Sequence, residues 1–219
     1  MSSHRSSVLD PGPLAAQFYA DAARQTHTAI VEHEQLAKDT FRFRVHCPQI
    51  ARAIVPGQFI MVRLVGCDDP LLARPLALYD TVLDDDQMPI GLDIVYLVVG
   101  KMTARLARLR PGAELEIWGP LGNGFAPSDA DHLIMVAGGI GQTPFMALSR
   151  EALGSRTYGH PPRDSKRARR VSLCYGARSA ALLAGVPDFK AAGVRVHVST
   201  DDGSHGHRGL VTDLLEQQL

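Results

Sequence analysis

The residues best placed to do chemistry in this 219-residue chain include three glycines in one short stretch, Gly138-Gly139-Ile140-Gly141-Gln142-Thr143-Pro144. They follow the apolar run Leu133-Ile134-Met135-Val136-Ala137, which reads as a parallel strand covered on both faces. Bare glycines admit unusual backbone angles and remove side chains that would block a ligand. Thr143 reads as a helix cap and Pro144 as the first helical residue. A helix N-terminus behind such a turn offers N–H groups and a positive dipole end to a phosphate. The spacing differs from G-x-G-x-x-G. A tight strand–helix turn without a ligand satisfies the same residues, and this stretch alone leaves both readings open.

Other residue types exclude more than they suggest. Cys47, Cys67 and Cys174 are too far apart for a C-x-x-C metal site or a disulfide framework. No metal site and no side-chain nucleophile is expected. Six Lys/Arg residues fall between Arg156 and Arg170, but no aromatic platform accompanies them, so a solvated loop is expected rather than a nucleic-acid site. Lys+Arg and Asp+Glu are both 23, which removes any global electrostatic case for nucleic acid or an anionic membrane. There is neither a membrane-length apolar segment nor an N-terminal signal core, so a cytoplasmic location is the expectation.

The elements that would position the glycine turn fall into two textures. Residues 1–25 read as a flexible leader, with a turn or two of helix within 17–24. From Thr26 short strands follow one another, at 28–31, 40–45, 58–64, 77–82, 91–99 and 113–118. Phe41, Phe43 and Val45 share one strand face and Arg42 and Arg44 the other. With a single helix from Thr103 to Leu109 between them, these strands predict a small antiparallel barrel over 26–126. The breaker-rich loop Gly119-Pro120-Leu121-Gly122-Asn123-Gly124-Phe125 marks a boundary. Beyond it strands and helices alternate, predicting a Rossmann-like α/β domain over 127–219. Its strands are 133–137, 171–176 and 194–199, its helices 144–153, 180–183 and 210–218. Three such units leave an unpaired hydrophobic edge, so the functional protein is expected to extend beyond this chain.

Several motifs occur in one order. They are Pro56-Gly57-Gln58-Phe59, Leu72-Ala73-Arg74-Pro75-Leu76-Ala77, Val99-Gly100-Lys101-Met102-Thr103, and the Gly119–Phe125 loop. The glycine turn, Cys174-Tyr175-Gly176-Ala177-Arg178-Ser179 and Thr200-Asp201-Asp202-Gly203-Ser204 come next, with Gly209-Leu210-Val211-Thr212-Asp213-Leu214-Leu215 last. Together they resemble the ferredoxin reductase-like flavoprotein superfamily, and most of all the electron-transfer subunit of two-component dihydroorotate dehydrogenases.

That resemblance implies an FAD-binding barrel followed by an NAD(H)-binding domain. It implies that Arg74 pairs with the FAD pyrophosphate, which a planar, permanent cation suits. Pro75, Leu76, Ala77 and Leu78 would run along the isoalloxazine, and Gly100, Lys101, Met102 and Thr103 would hold the phosphates at a helix start. Gly138, Gly139, Gly141, Gln142 and Thr143 would bring the dinucleotide close to backbone, with Arg178 near its adenosine half. Asp201 and Asp202, at the third strand's end, could contact a ribose or cap the following turn, and the cap is the expectation. No arginine pair suited to a 2′-phosphate is apparent, which favours NADH over NADPH.

Two departures from the family pattern stand out. Ala77 occupies the position of the family's flavin-facing serine, and the C-terminal C-G-P segment with the four cysteines of a 2Fe–2S site is absent. The implied function is hydride transfer from NADH to FAD. Electrons would go onward, through a 2Fe–2S cluster only if a C-terminal extension exists, to an FMN-containing dihydroorotate dehydrogenase subunit in pyrimidine biosynthesis. The alternatives are a reductase for a sulfite reductase-, hydrogenase- or oxygenase-type partner, and a non-catalytic nucleotide-binding remnant.

Overall fold

A computed structural model describes residues 22–66 and 68–218. Six antiparallel strands close a barrel: β1 (Arg24–Ala37), β2 (Thr40–His46), β3 (Phe59–Leu64), β4 (Arg74–Leu83), β5 (Pro89–Leu97) and β6 (Glu114–Leu121). Their order around the barrel is β1-β2-β5-β4-β3-β6. The period-two pattern decides which side chains fill it. In β3, Ile60, Val62 and Leu64 are buried while Phe59, Met61 and Arg63 are only half-buried. Two short helices, α1 (Pro48–Ala53) and α2 (Lys101–Leu106), add Ile50, Ala51, Met102 and Leu106 to the same core. The α1 helix was not expected, because six residues are too few to display a helical period. Helix α2 starts and stops earlier than the expected 103–109.

Most of the expected leader lies outside the described residues, as do residues 17–21 of its helix. Arg24 and Gln25, however, belong to β1, where they pair with Gly119 and Trp118 of β6. Strand β1 therefore begins inside the range expected for the leader. Most of β1 is exposed or half-buried, so it lacks the apolar alternation that announces a strand.

The second unit is a parallel sheet in the order β10-β9-β8-β7. Its strands are β7 (His132–Gly138), β8 (Arg170–Ala177), β9 (Arg195–Thr200) and the two-residue β10 (His207–Arg208). Helices α3 (Phe145–Ala152), α4 (Val186–Ala191) and α5 (Val211–Glu216) accompany them. The expected helix at 180–183 is a single tight turn over Ala180–Leu182, and α4 had not been expected. Strand β8 is buried from Val171 to Ala177. Strand β7 is not the fully covered strand its composition suggests. Among the described residues it pairs with β8 alone, and Val136 is 36% exposed. Met135 and Ala137 are buried on its other face. On the far side of the sheet, β9 carries β10 against Ser199 and Thr200.

The two units share a core. Tyr79 and Val95 of the barrel pack with Met135, Met146 and Phe189 of the α/β unit. A second tie is nearly dry. Glu151 and Arg163 form an ion pair with side chains 3% and 6% exposed, and Arg163 Nη1 also donates to the Phe125 carbonyl at 2.6 Å.

Candidate cofactor cleft

On the barrel side, one cavity of about 520 Å³ gathers residues from three separated segments. The start of β4 contributes Arg74, Pro75, Leu76 and Ala77, and the turn into α2 contributes Gly100, Lys101, Met102 and Thr103. The glycine turn contributes Ile140, Gly141 and Thr143. The volume is in the range of sites that hold a small organic ligand. A Cβ built at Gly100 or at Gly141 meets nothing within 4 Å, so both glycines leave open space on the cavity wall.

The charges around this cavity suit an anion. Among the described residues, the half-buried Arg74 guanidinium meets the Leu72 and Ala73 carbonyls at 3.0 and 3.1 Å and no carboxylate. In α2 the Thr103 hydroxyl accepts from Val99 and Gly100 N–H at 3.0 and 3.1 Å and caps its own helix. The Ala104 N–H bonds back to Gly100. The N–H groups of Lys101, Met102 and Thr103 therefore belong to the first turn, which has no acceptors within a helix. Lys101 is drawn to Asp69, whose carboxyl this hydrogen bond holds below its ordinary range.

A second cavity of about 540 Å³ adjoins the first, and both are lined by Leu97, Val99 and Ile140. Its sheet side carries Gly138, Gly139, Arg178 and Asp201, and its barrel side Asp39 and Thr40. Gly139 has φ of +55°, the left-handed region that favours glycine, and a Cβ at Gly138 or Gly139 would meet nothing within 4 Å. The C-terminal ends of parallel strands are where open α/β sheets bind ligands. The paired cavities therefore form one cleft, with anion-binding features on the barrel side and a bare glycine turn opposite.

The tertiary structure corrects several expectations. Thr143 is not the cap of the following helix. Residues Gly139–Gln142 form a tight 3-10 turn, Thr143 lies in helical conformation at its end, and Pro144 occupies the cap position of α3. The short turn takes up the residues that the pattern assigned to the helix start. Gln142 lines neither cavity. It is fully buried, and its carboxamide has no hydrogen-bond partner among the described residues. Leu78 does not line the first cavity but is fully buried in the barrel core, on the same strand face as Leu76. Asp202 caps its own turn, accepting from Ser204 N–H and Oγ–H at 2.9 and 2.6 Å. Asp201 instead lines the second cavity.

Sequence reasoning missed Tyr96, Leu97, Val99 and Ile140 as lining residues. Proximity to Gly100 and Gly141 was their only signal. The Tyr96 hydroxyl lies 2.9 Å from His33 Nε2, and His33 Nδ1 lies 2.9 Å from the Leu109 carbonyl. A carbonyl only accepts, so Nδ1 carries the hydrogen and Nε2 accepts from Tyr96. That proton is committed to His33, and burial raises the Tyr96 hydroxyl pKa.

Comparison with known proteins agrees with this geometry. The oxidoreductase FAD-binding domain family matches residues 27–125. The chain is 34% identical over 191 residues to the electron transfer subunit of dihydroorotate dehydrogenase B (NAD(+)) from Geobacillus kaustophilus, covering 85% of this chain and 67% of the relative. It is 31% identical to the corresponding subunit from Shouchella clausii, covering 89% and 70%. A solved structure of an NADH-dependent reduced ferredoxin-NADP oxidoreductase superimposes with a TM-score of 0.68 at 27% identity. That match covers 87% of this chain and 62% of the other. The chain thus spans about two thirds of these curated relatives and somewhat less of the solved structure.

Proposed function

Because the chain belongs to the family of dihydroorotate dehydrogenase B electron transfer subunits, we propose that it oxidises NADH at a bound FAD and passes the electrons to a separate catalytic subunit. The observation that carries this reading is the continuity of the cleft. Arg74 and the α2 turn line the first cavity together with Gly141 and Thr143, and Leu97, Val99 and Ile140 join it to the cavity beside Arg178. A flavin bound here supplies the hydride acceptor for a reduced nicotinamide.

The protein's own residues hold and shield. Arg74 provides a fixed cation for the pyrophosphate. The first-turn N–H groups of α2 complement the same charge. Leu76 and Ala77 present strand backbone and small apolar side chains to the ring. Gly138, Gly139 and Gly141 let the nicotinamide half approach backbone closely, and Arg178 faces the adenosine half. No side chain need act as nucleophile or general acid, since alignment is the protein's contribution. Asp201 shares the second cavity with Arg178, and a carboxylate there disfavours a 2′-phosphate, in keeping with NADH.

The partner in this reading is an FMN-containing dihydroorotate dehydrogenase subunit of pyrimidine biosynthesis, in the cytoplasm. No helix among the described residues is long and apolar enough to cross a membrane. A 2Fe–2S cluster of the four-cysteine type does not fit this chain's three cysteines, so the role proposed for these residues ends at the flavin.

The test is retention of FAD. Arg74→Ala removes charge-assisted hydrogen bonds worth about 1.5–3 kcal/mol and should weaken FAD binding about ten- to a hundredfold. Arg178→Ala should leave FAD binding within about twofold and weaken NADH instead. Equal FAD retention in the two variants would remove Arg74 from the pyrophosphate. Flavin-loaded protein that NADH fails to bleach anaerobically would reject the function.

A further inference from the structure

Neighbouring residues on a regular strand face opposite sides, yet Tyr79 and Asp80 both reach from β4 to the α/β unit. The register between β4 and β5 shifts between the pairs Leu78–Ile94 and Asp80–Asp93. Such a bulge re-aims side chains. The Tyr79 hydroxyl donates to Asp188 of α4 at 2.9 Å. Asp80 is 6% exposed and gathers more. Its carboxylate pairs with Arg150 of α3 and with Arg156 just beyond it, both at 2.9 Å. It also accepts from the Tyr158 hydroxyl at 2.7 Å and from the Thr81 N–H at 2.8 Å. Burial pushes the Asp80 carboxyl above its ordinary value, against the pull of Arg156, Arg150 and Tyr158.

Both ends of this contact lead straight to the cleft. Asp80 lies three residues beyond Ala77 on the same strand, roughly 10 Å along it. Arg150 lies about 7.5 Å along α3 from Phe145, and the glycine turn immediately precedes that helix. Beside the shared core, the barrel wall of the first cavity and the glycine wall opposite are therefore tied by this carboxylate on two short arms.

We propose that Asp80 is a positioning residue that sets the separation between flavin and nicotinamide. This rests on the reading of the cleft as a two-cofactor site. Without the charge of Asp80, Arg150 and Arg156 lose the ion pairs that tie α3 and the segment after it to β4. Hydride transfer is steeply sensitive to the distance between the reacting atoms, and a misplacement near 1 Å can cost about a hundredfold.

The experiment is anaerobic stopped-flow reduction of the FAD-loaded chain by NADH, reading the limiting rate and the half-saturating concentration separately. For Asp80→Asn the limiting rate should fall about tenfold or more, while half-saturation stays within about threefold and FAD occupancy is unchanged. Arg150→Gln removes one partner from the more open side of the contact, where the side chain is 31% exposed. It should also lower the limiting rate, and the double variant should be no slower than Asp80→Asn alone, because one contact has been cut twice. Limiting rates within twofold of wild type in both variants overturn the proposal, as does a rate loss that tracks FAD loss. If Asp80→Asn does not fold, Arg150→Gln decides alone by the same criteria. Wild-type protein that binds FAD but is not bleached by NADH instead overturns the underlying function, and the positioning role with it.

Discussion

Gly141→Val separates a glycine kept for a ligand from one kept for the fold. Gly141 lies outside the left-handed region, and a Cβ there meets nothing within 4 Å. The substitution should therefore cost the ligand-free protein no more than about 0.5 kcal/mol, as at an unconstrained surface position. For a chain of this size that is a change in Tm of about 1–2 °C. The added side chain enters the shared cleft, where Gly141 lines the cavity opposite Arg74 and Gly100. A dinucleotide pushed off the turn loses at least one backbone hydrogen bond to a charged or strongly polar group, about 1.5–3 kcal/mol. Half-saturating NADH in flavin reduction should rise about ten- to a hundredfold.

Gly57→Ala is the contrasting case. Its φ is +87°, and a Cβ would lie 2.6 Å from the Phe125 backbone nitrogen. Left-handed strain of about 1–2 kcal/mol and overpacking of about 1–3 kcal/mol should lower Tm by about 5–15 °C. The assays are differential scanning fluorimetry of both variants and NADH titration of flavin bleaching. Unchanged half-saturation in Gly141→Val, or a Tm loss equal to that of Gly57→Ala, refutes the assignment of this turn to the dinucleotide.

Three further outcomes follow from burial. Leu78→Ala, in the barrel core, should cost about 2–5 kcal/mol in chemical denaturation, and Leu76→Ala, on the cavity wall, less than half as much. Glu151→Gln strands the buried Arg163 and should cost about 3–5 kcal/mol, whereas the double change Glu151→Gln with Arg163→Met should restore part of that loss; an additive double variant would contradict the pair. Burial raises the pKa of both the Cys47 thiol, pushed up to about 12, and the Cys174 thiol. In a Cys67→Ser background neither should react with Ellman's reagent until the protein is denatured, and a native-state signal would show that the barrel or β8 opens.

Much of the fold is legible in short windows of sequence. The alternation in Thr40–His46 and Phe59–Leu64 determines which side chains enter the barrel, because strand geometry has a period of two whatever the neighbours are. The breakers from Gly119 to Phe125 and the glycine turn after β7 are likewise local, and so are the residue types of the proposed flavin and dinucleotide sites. Tertiary structure decided matters that depend on partners distant in sequence. Among the described residues it paired β7 with β8, left Val136 exposed, and gave β9 a two-residue neighbour in β10. It buried Gln142, and it lengthened β1 back to Arg24 through pairing with β6. Above all it brought Asp80 to Arg150, Arg156 and Tyr158, more than 69 residues further along the chain. A side chain's chemistry and the face it occupies are set by its own residue and the local backbone period. The charge it must neutralise is set by how two layers distant in sequence meet, and no local pattern carries that information.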